Sequence, residues 1–461
     1  MTGGDPIDEH QPFAALDLPA AARALAQVAD RPGDLVDAYF ERTEEVALPP
    51  EGRAGPAPGI EVRREEGLAI RLVRDGHAWL AARDSLDEAA FAGALRRTAR
   101  ALPPASYPAP HLAAAPWPGA ARAPEVRELP SRLARAIRAR HAAFTLRLTV
   151  RRHRRWLQVI GGEKLLPAGE RESFYSIDAE LPWVSGGAGR HGAFRHGALL
   201  PEPTDAAVDD FAELLVGLFR AREAPPPAAA RGPVVLAPAA AAVFLHEAVA
   251  HALEADVLAA GGDPRAAIGV RLGGPLLDVL DDPTSAPAPV RRTSDDEGRA
   301  AYRRWLLRGG EVQEPLADAH WAAACEALSP GAGRRSGRHA LPGPRSTHLE
   351  LLAGDSSLEG LYAAAEGGLL LPAAGHGSLD PRTGSFRLGF PFAYRLRGGA
   401  PAEAVGPCRL AGTVADLLAA VAAVGDRVRP AGAGWCAKGG QKLPVWATAP
   451  ALLLADVEVT P

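Results

Sequence analysis

Two histidines five residues apart inside an apolar run constrain this chain more than any other feature. His246 and His251 flank Glu247 in Phe244-Leu245-His246-Glu247-Ala248-Val249-Ala250-His251-Ala252-Leu253-Glu254, within the apolar stretch Val234 to Leu253. Imidazole and carboxylate groups are expensive in such surroundings unless they find partners. The common zinc-hydrolase pattern spaces its histidines by four, which puts both rings on one helix face. At a spacing of five, an ideal α-helix turns the second ring roughly 140° away from the first. A turn closed by i→i+5 hydrogen bonds restores a common side, so the spacing predicts a π-bulge across His246 to His251. So arranged, the two imidazoles and a third, distant ligand hold a Zn²⁺ with one position open for water, and Glu247 is the natural general base for that water. The competing reading is a helix whose core histidines are hydrogen-bonded to neighbours.

At 461 residues the chain is too long for one core, which predicts at least two domains. A hydrophobic share of 47% with 23% charged residues is that of an ordinary globular protein, and a net charge of −4 carries no global nucleic-acid signature. Three cysteines are too few for a disulfide framework and point to a reducing compartment. The N-terminus shows no basic segment followed by an apolar one, and no apolar stretch reaches about 18 residues, so a cytoplasmic location is expected.

Along the chain, residues 17 to 31 read as a helix, Asp37 to Glu44 as an extended or mixed segment, and 60 to 82 as short antiparallel strands. Ser85 is placed to cap a helix with Glu88 in capping-box position. A Pro-rich linker covers Leu102 to Pro118, a helix Ser131 to Ala143, a strand Phe144 to Val150 and a helix Asp205 to Arg222. The Arg147 to Arg155 patch admits a nucleic-acid reading, but arginines on a solvated face explain it more simply in an acidic chain. Glu223 to Pro233 has the composition of a linker and divides an N-terminal unit, 1–224, from a C-terminal unit, 225–461. The second unit reads as mainly β, with a helix at Thr413 to Val424.

The third ligand must come from His320, His339, His348, His376 or one of the cysteines Cys325, Cys408 and Cys436. Cys436 stands out, because Gly432-Ala433-Gly434-Trp435-Cys436-Ala437-Lys438-Gly439-Gly440 reads as a Gly-rich turn that brings a thiolate close to a metal, with Lys438 near enough to lower its pKa. Cys325 sits in an apolar helical pattern and reads as core.

At this point the chain resembles the TldD/PmbA family of metallopeptidases. His246 to Asp256 is similar to the family's His-Glu-Ala-Val-Gly-His-Gly-Leu-Glu pattern, Asp295 to Gly298 to its acidic turn, Gly331 to Arg335 and Pro344 to Thr347 to two further elements, and Cys436 to Val445 to its C-terminal signature. Tyr39 to Arg42 and Gly67 to Ala82 are similar to a weaker N-terminal signature. The resemblance implies an α+β, two-domain fold: an N-terminal α/β domain with a mixed sheet and a C-terminal β-rich domain carrying the motif helix. It implies zinc ligands His246, His251 and Cys436, a catalytic Glu247, and hydrolysis of unfolded or leader-type peptides. It also implies a dimer, either of this chain with itself or with a TldE-like paralogue that lacks the metal motif. A non-hydrolytic peptide-binding subunit with a structural zinc is the alternative. Ala250 and Ala252 replace family glycines, which suggests altered substrate approach, His348 stands where the family has Asn, and Leu371 to Leu379 diverges. Glu254 is a candidate partner for a ligand imidazole. Asp295, Asp296 and Glu297 read as a solvated turn rather than a second cation site.

Overall fold

The computed structural model describes residues 13–461 except 14–15, 30, 50–58, 100–123, 142–143, 162–163, 166–169, 185–190, 285–289, 327, 376 and 381. The expected linker Leu102 to Pro118 and the candidate ligand His376 lie outside the described residues. The chain is α+β and carries three large sheets.

The first sheet runs in the order His77–Arg83, Glu61–Arg74, Leu35–Leu48, Arg147–Gly161, Glu170–Val184, His191–Leu200, with Lys164–Leu165 added beside Arg147–Gly161. Its pairings are antiparallel throughout, not mixed as expected. Alternation gives it two unlike faces. Ala38, Phe40, Leu68 and Ile70 pack with Leu25, Phe91 and Leu95 of the helices Leu18–Ala26 and Glu88–Ala99. A second apolar cluster joins Val46, Val150 and Ile177 to the helices Pro124–Arg138 and Asp205–Arg220.

Three local expectations change. The cap of Glu88–Ala99 comes from Asp87, whose Oδ1 accepts from the Ala90 amide at 2.7 Å, and not from Ser85. The third helix begins at Pro124 and runs through Pro130, because Val126, Leu129, Leu133 and Ile137 bury one stripe whose packing outweighs the lost amide. The 147–155 patch is only partly solvated: Arg147 is exposed, but Arg152 and Arg155 are buried and paired with carboxylates.

Arg152, opposite Val46, lies on the Phe40 face, whereas Arg155, opposite Thr43, belongs to the second face of the first sheet, where Asp37, Tyr39 and Glu41 alternate with the core residues. This buried, charged face meets the second half of the chain. Arg71 donates to Asp37 at 2.7 Å and to Glu297 at 2.6 Å, Arg155 to Glu41 at 3.0 Å, and Arg338 pairs with Glu41 at 3.6 Å. Asp296 accepts from Arg292 at 2.6 Å and from the Arg335 amide at 2.8 Å, with Arg155 and Arg334 at 3.6 and 3.5 Å. The acidic turn expected to be solvated is therefore buried, Asp296 and Glu297 facing guanidinium groups and Asp295 accepting from the backbone amides of Glu297, Arg299 and Gly333.

In the second half, a nine-stranded sheet runs Gly377–Leu379, Ser385–Phe390, Cys408–Thr413, Leu452–Thr460, Ala230–Leu236, Leu369–Leu371, Ala393–Arg397, Ala400–Val405, with Val421–Val424 beside Leu452–Thr460. A six-stranded sheet runs Glu311–Val312, Arg304–Arg308, Val279–Asp281, His348–Leu351, Gln441–Ala449, Arg429–Lys438. The helix Pro238–Leu245 lies within one apolar cluster that draws on both sheets, among them Val234, Leu410 and Leu452 from the first and Val279, Leu349 and Ala447 from the second. A helix apolar on every side is stable only in such a place. The strand leading into it starts at Ala230, inside the expected linker. No helix among the described residues is long and apolar enough to cross a membrane.

Burial opposes ionisation of Asp296, yet Arg155, Arg292 and Arg334 hold its carboxyl well below the usual carboxylate range. Its ionised form is thus favoured in the folded state, a contribution present above the unfolded carboxylate range and lost as pH falls through it. Asp296→Asn should cost about 3–5 kcal/mol in denaturant unfolding at pH 7, by stranding buried guanidinium groups. That gap should hold from about pH 5 upward and narrow below about pH 4; a gap independent of pH would contradict the assignment.

Candidate metal centre

The helix starts at Pro238, where a missing amide costs nothing, and stays regular to Leu245. His246–Ala250 then form one π-helical turn, closed by the His251 amide donating to the His246 carbonyl. This is the widening the spacing called for. The imidazole centroids come to 4.6 Å, inclined at 64°. A short 3₁₀ turn, His251–Leu253, follows, and the chain leaves the helical region at Glu254 with ψ 129°.

The third group arrives from the other sheet. Cys436 lies on the strand Arg429–Lys438, an edge of the six-stranded sheet, and the turn is at Gly439-Gly440, with φ 58° and 74°. The Gly-rich stretch is thus a bulged strand rather than the expected turn: its register slips between Gly432 and Gly434, and Gly434 takes φ 103°. One ligand atom each from His246, His251 and Cys436 lies within 4.8 Å of the others, and Cys436 Sγ is 3.4 Å from His251 Nε2.

The chemistry of these atoms suits a cation. His251 Nδ1 is 2.9 Å from Glu254 Oε2, so a proton on Nδ1 leaves the Nε2 lone pair facing the sulfur. His246 Nδ1 lies 3.4 Å from Ser346 Oγ, while its Nε2 is buried and makes no hydrogen bond. A buried imidazole nitrogen without a hydrogen-bond partner suits a soft or borderline metal. Burial, with the neighbouring His251 and Arg345 charges, pushes His246 down to about 3, which keeps it a neutral donor. Burial also works against charge on His251, but Glu254 and Cys436 outweigh it and raise that group to about 10. A metal ion must therefore displace a proton from His251.

Glu247 is half-buried, one position along from His246. A methyl built on Gly377 would meet its Cγ at 2.4 Å and its Cδ at 2.7 Å, so the glycine is what lets the edge strand Gly377–Leu379 close on this side chain. Gly377 lies in the segment read from sequence only as divergent. Its contact with Glu247 joins residues far apart in the chain, and the sole signal was an isolated glycine where backbone approaches closely.

The other candidates lie elsewhere. His348 is fully buried, bonded to Thr448 Oγ1 at 2.7 Å and to the Asp282 carbonyl at 3.2 Å. His339 pairs with Asp84 at 2.8 Å, His320 rests edge-on against Trp321, and Cys325 is core. Burial pushes the Cys408 thiol up to about 12. The methyl of Ala250 is in the main apolar cluster and Ala252 packs against it, so both departures add to the core. Lys438, expected to act on Cys436, instead pairs with Glu254 and Asp256 at 2.5 and 2.6 Å.

One variant separates a ligand from a core histidine. His348→Asn should leave metal stoichiometry by elemental analysis unchanged and cost about 1–3 kcal/mol through its unmatched partners. Loss of metal in that variant would return His348 to the ligand set.

A family model described as the PmbA/TldA metallopeptidase C-terminal domain matches residues 229–461, just over half of the chain. The chain is 32% identical over 229 residues to a metalloprotease TldD homolog of Haemophilus influenzae, covering 49% of this chain and 48% of that protein. It is 30% identical over 213 residues to a metalloprotease of Methanocaldococcus jannaschii, covering 46% and 47%. The chain spans about half the length of the curated relatives it matches. In fold it is similar to the crystal structure of TldE from Thermococcus kodakarensis, with a TM-score of 0.72 at 18% identity over 96% of this chain and 100% of that one. The chain belongs to the TldD/PmbA metallopeptidase family.

Proposed function

We propose that this chain is a zinc-dependent metallopeptidase acting on unfolded or leader-type peptides, with His246, His251 and Cys436 as metal ligands and Glu247 as the catalytic base. The observation that carries the reading is the convergence of two imidazoles and a thiol, His246 and Cys436 buried and His251 half-buried, with one imidazole nitrogen lacking a hydrogen-bond partner. The names of the sequence relatives support the class of reaction.

Zinc held there would supply Lewis acidity, polarising a carbonyl and making water more acidic. Glu247 takes the proton from the attacking water and passes it to the leaving amine nitrogen. Glu254 keeps the His251 proton on Nδ1, and Ser346 faces Nδ1 of His246, so the chain itself orients both rings. Two sheet edges flank the site, Gly377–Leu379 beside Glu247 and Arg429–Lys438 carrying Cys436. An extended peptide adding to such an edge gains backbone hydrogen bonds with modest sequence preference. On this reading the chain pairs with a second copy or with a metal-free paralogue. It also divides into units 1–224 and 225–461, supported by sheets that share no strand pair across the boundary and by a family match that begins at residue 229.

Elemental analysis and cleavage of an unfolded peptide pool test the reading together. Wild type should carry about one zinc and cleave, Glu247→Gln should keep the metal and slow cleavage by about 10²–10⁴-fold, and Cys436→Ala should lose the metal. Zinc retention without cleavage, by wild type alone and with its partner, would favour a peptide-binding subunit. Gly377→Ala should also keep the metal while losing about 10²-fold in rate, since the methyl displaces Glu247; an unchanged rate would remove Glu247 from that position.

A further inference from the structure

The strand that delivers Cys436 is poorly held by its own sheet. It is an edge, paired on one side only with Gln441–Ala449, bulged between Gly432 and Gly434, and it ends on two glycines of positive φ. Such a segment has small resistance to sliding or peeling. Its sulfur is nonetheless set 3.4 Å from an imidazole on a different element.

Beyond its packing against the helix Pro238–Leu245 and the strand His191–Leu200, three side-chain fastenings account for this. The Trp435 indole meets His153 and Phe174 of the first sheet edge-on, at 5.6 and 5.7 Å. Arg345 Nη2 donates to the Lys438 carbonyl at 3.1 Å. Lys438 Nζ donates to Glu254 Oε2 at 2.5 Å and to Asp256 Oδ1 at 2.6 Å. Of the three, the last ties the strand to the segment that carries the histidines. Cys436 and Lys438 are two apart on a strand and so share a face, toward that segment. Glu254 Oε2 also receives His251 Nδ1. The contacts close a ring: His251 to Glu254, Glu254 to Lys438, along the strand to Cys436, and back to His251. Glu254 is fully buried, and its carboxylate faces His251 because the helix ends there in an extended residue.

Resting on the zinc reading of the site, we propose that Lys438 is a positioning residue, whose clamp between Glu254 and Asp256 sets the Cys436 strand against the motif segment before any metal ion arrives. Arg345 and Lys438 then hold the same residue by its backbone and its side chain. The thiol is preplaced, and metal binding does not have to order the strand.

Two measurements on Lys438→Met and Lys438→Arg test this. Hydrogen exchange on metal-stripped protein should show the amides of Arg429–Lys438 exchanging about tenfold faster in Lys438→Met and near the wild-type rate in Lys438→Arg. Zinc affinity by chelator competition should fall about 10- to 100-fold in Lys438→Met, with recovery in Lys438→Arg. Glu254→Gln combined with Lys438→Met should be little worse than the weaker-binding single variant, because both open the same ring. A lowered melting temperature with unchanged exchange and unchanged affinity would overturn the proposal and leave Lys438 a stabilising residue only. If wild type holds no zinc while Lys438→Met still loosens the strand, the clamp stands and the zinc reading falls.

Discussion

The hydrogen bond from the His251 amide to the His246 carbonyl is the constraint on which the centre rests. With a regular i→i+4 ladder the second ring would point roughly 140° away, and neither Cys436 nor Glu254 would find it. A π turn is a poor bargain for an isolated helix, since it loosens the ladder it interrupts. Here it is enclosed: Ala248, Val249 and Ala250 are fully buried in the cluster that joins the two sheets of the second half. Packing on both sides sustains a backbone that local propensity would not choose.

A second dependence runs through charge. The first sheet presents a buried face of Asp37, Tyr39, Glu41 and Arg155 to the second half, where most cores would present leucine. Its carboxylates and guanidinium groups bind the Asp295–Glu297 turn and the residues Arg334 to Arg338. The chain continues from there to Arg345 and Ser346, which touch the Cys436 strand and His246. The first half thus reaches the candidate metal centre by holding the segment that orients it. Such networks tolerate no missing partner, because each buried charge left alone is costly.

Much of the site was legible in the order of residues. His246, Glu247, His251 and the need for a π turn follow from spacing and from the cost of polar groups in an apolar run. Cys436 stood out through its glycines, although these make a bulge and a separate hairpin turn rather than a loop. Arg152 and Arg155 were misread as solvated because sequence shows charge but not the carboxylates that will face it. The helix expected at Ser131 to Ala143 starts seven residues earlier, at Pro124, because the buried stripe from Val126 to Ile137 sustains it through Pro130. Ser85 and Asp87 are both good caps, and the choice between them depends on where the preceding strand releases the chain.

The α+β character came from the family resemblance, while the sequence by itself determined the motif, its required backbone distortion and three of the chemical groups at the centre. Those are properties of spacing and of residue chemistry, which act over a few positions. Tertiary structure decided which distant groups complete it: Ser346 for His246, Glu254 and Lys438 for His251 and the sulfur, Gly377 for Glu247. These contacts, apart from that of neighbouring Glu254, join elements whose separation along the chain carries no periodic signal. They exist because two sheets and a helix share one core, and only packing brings the edges of those sheets to the same few ångströms.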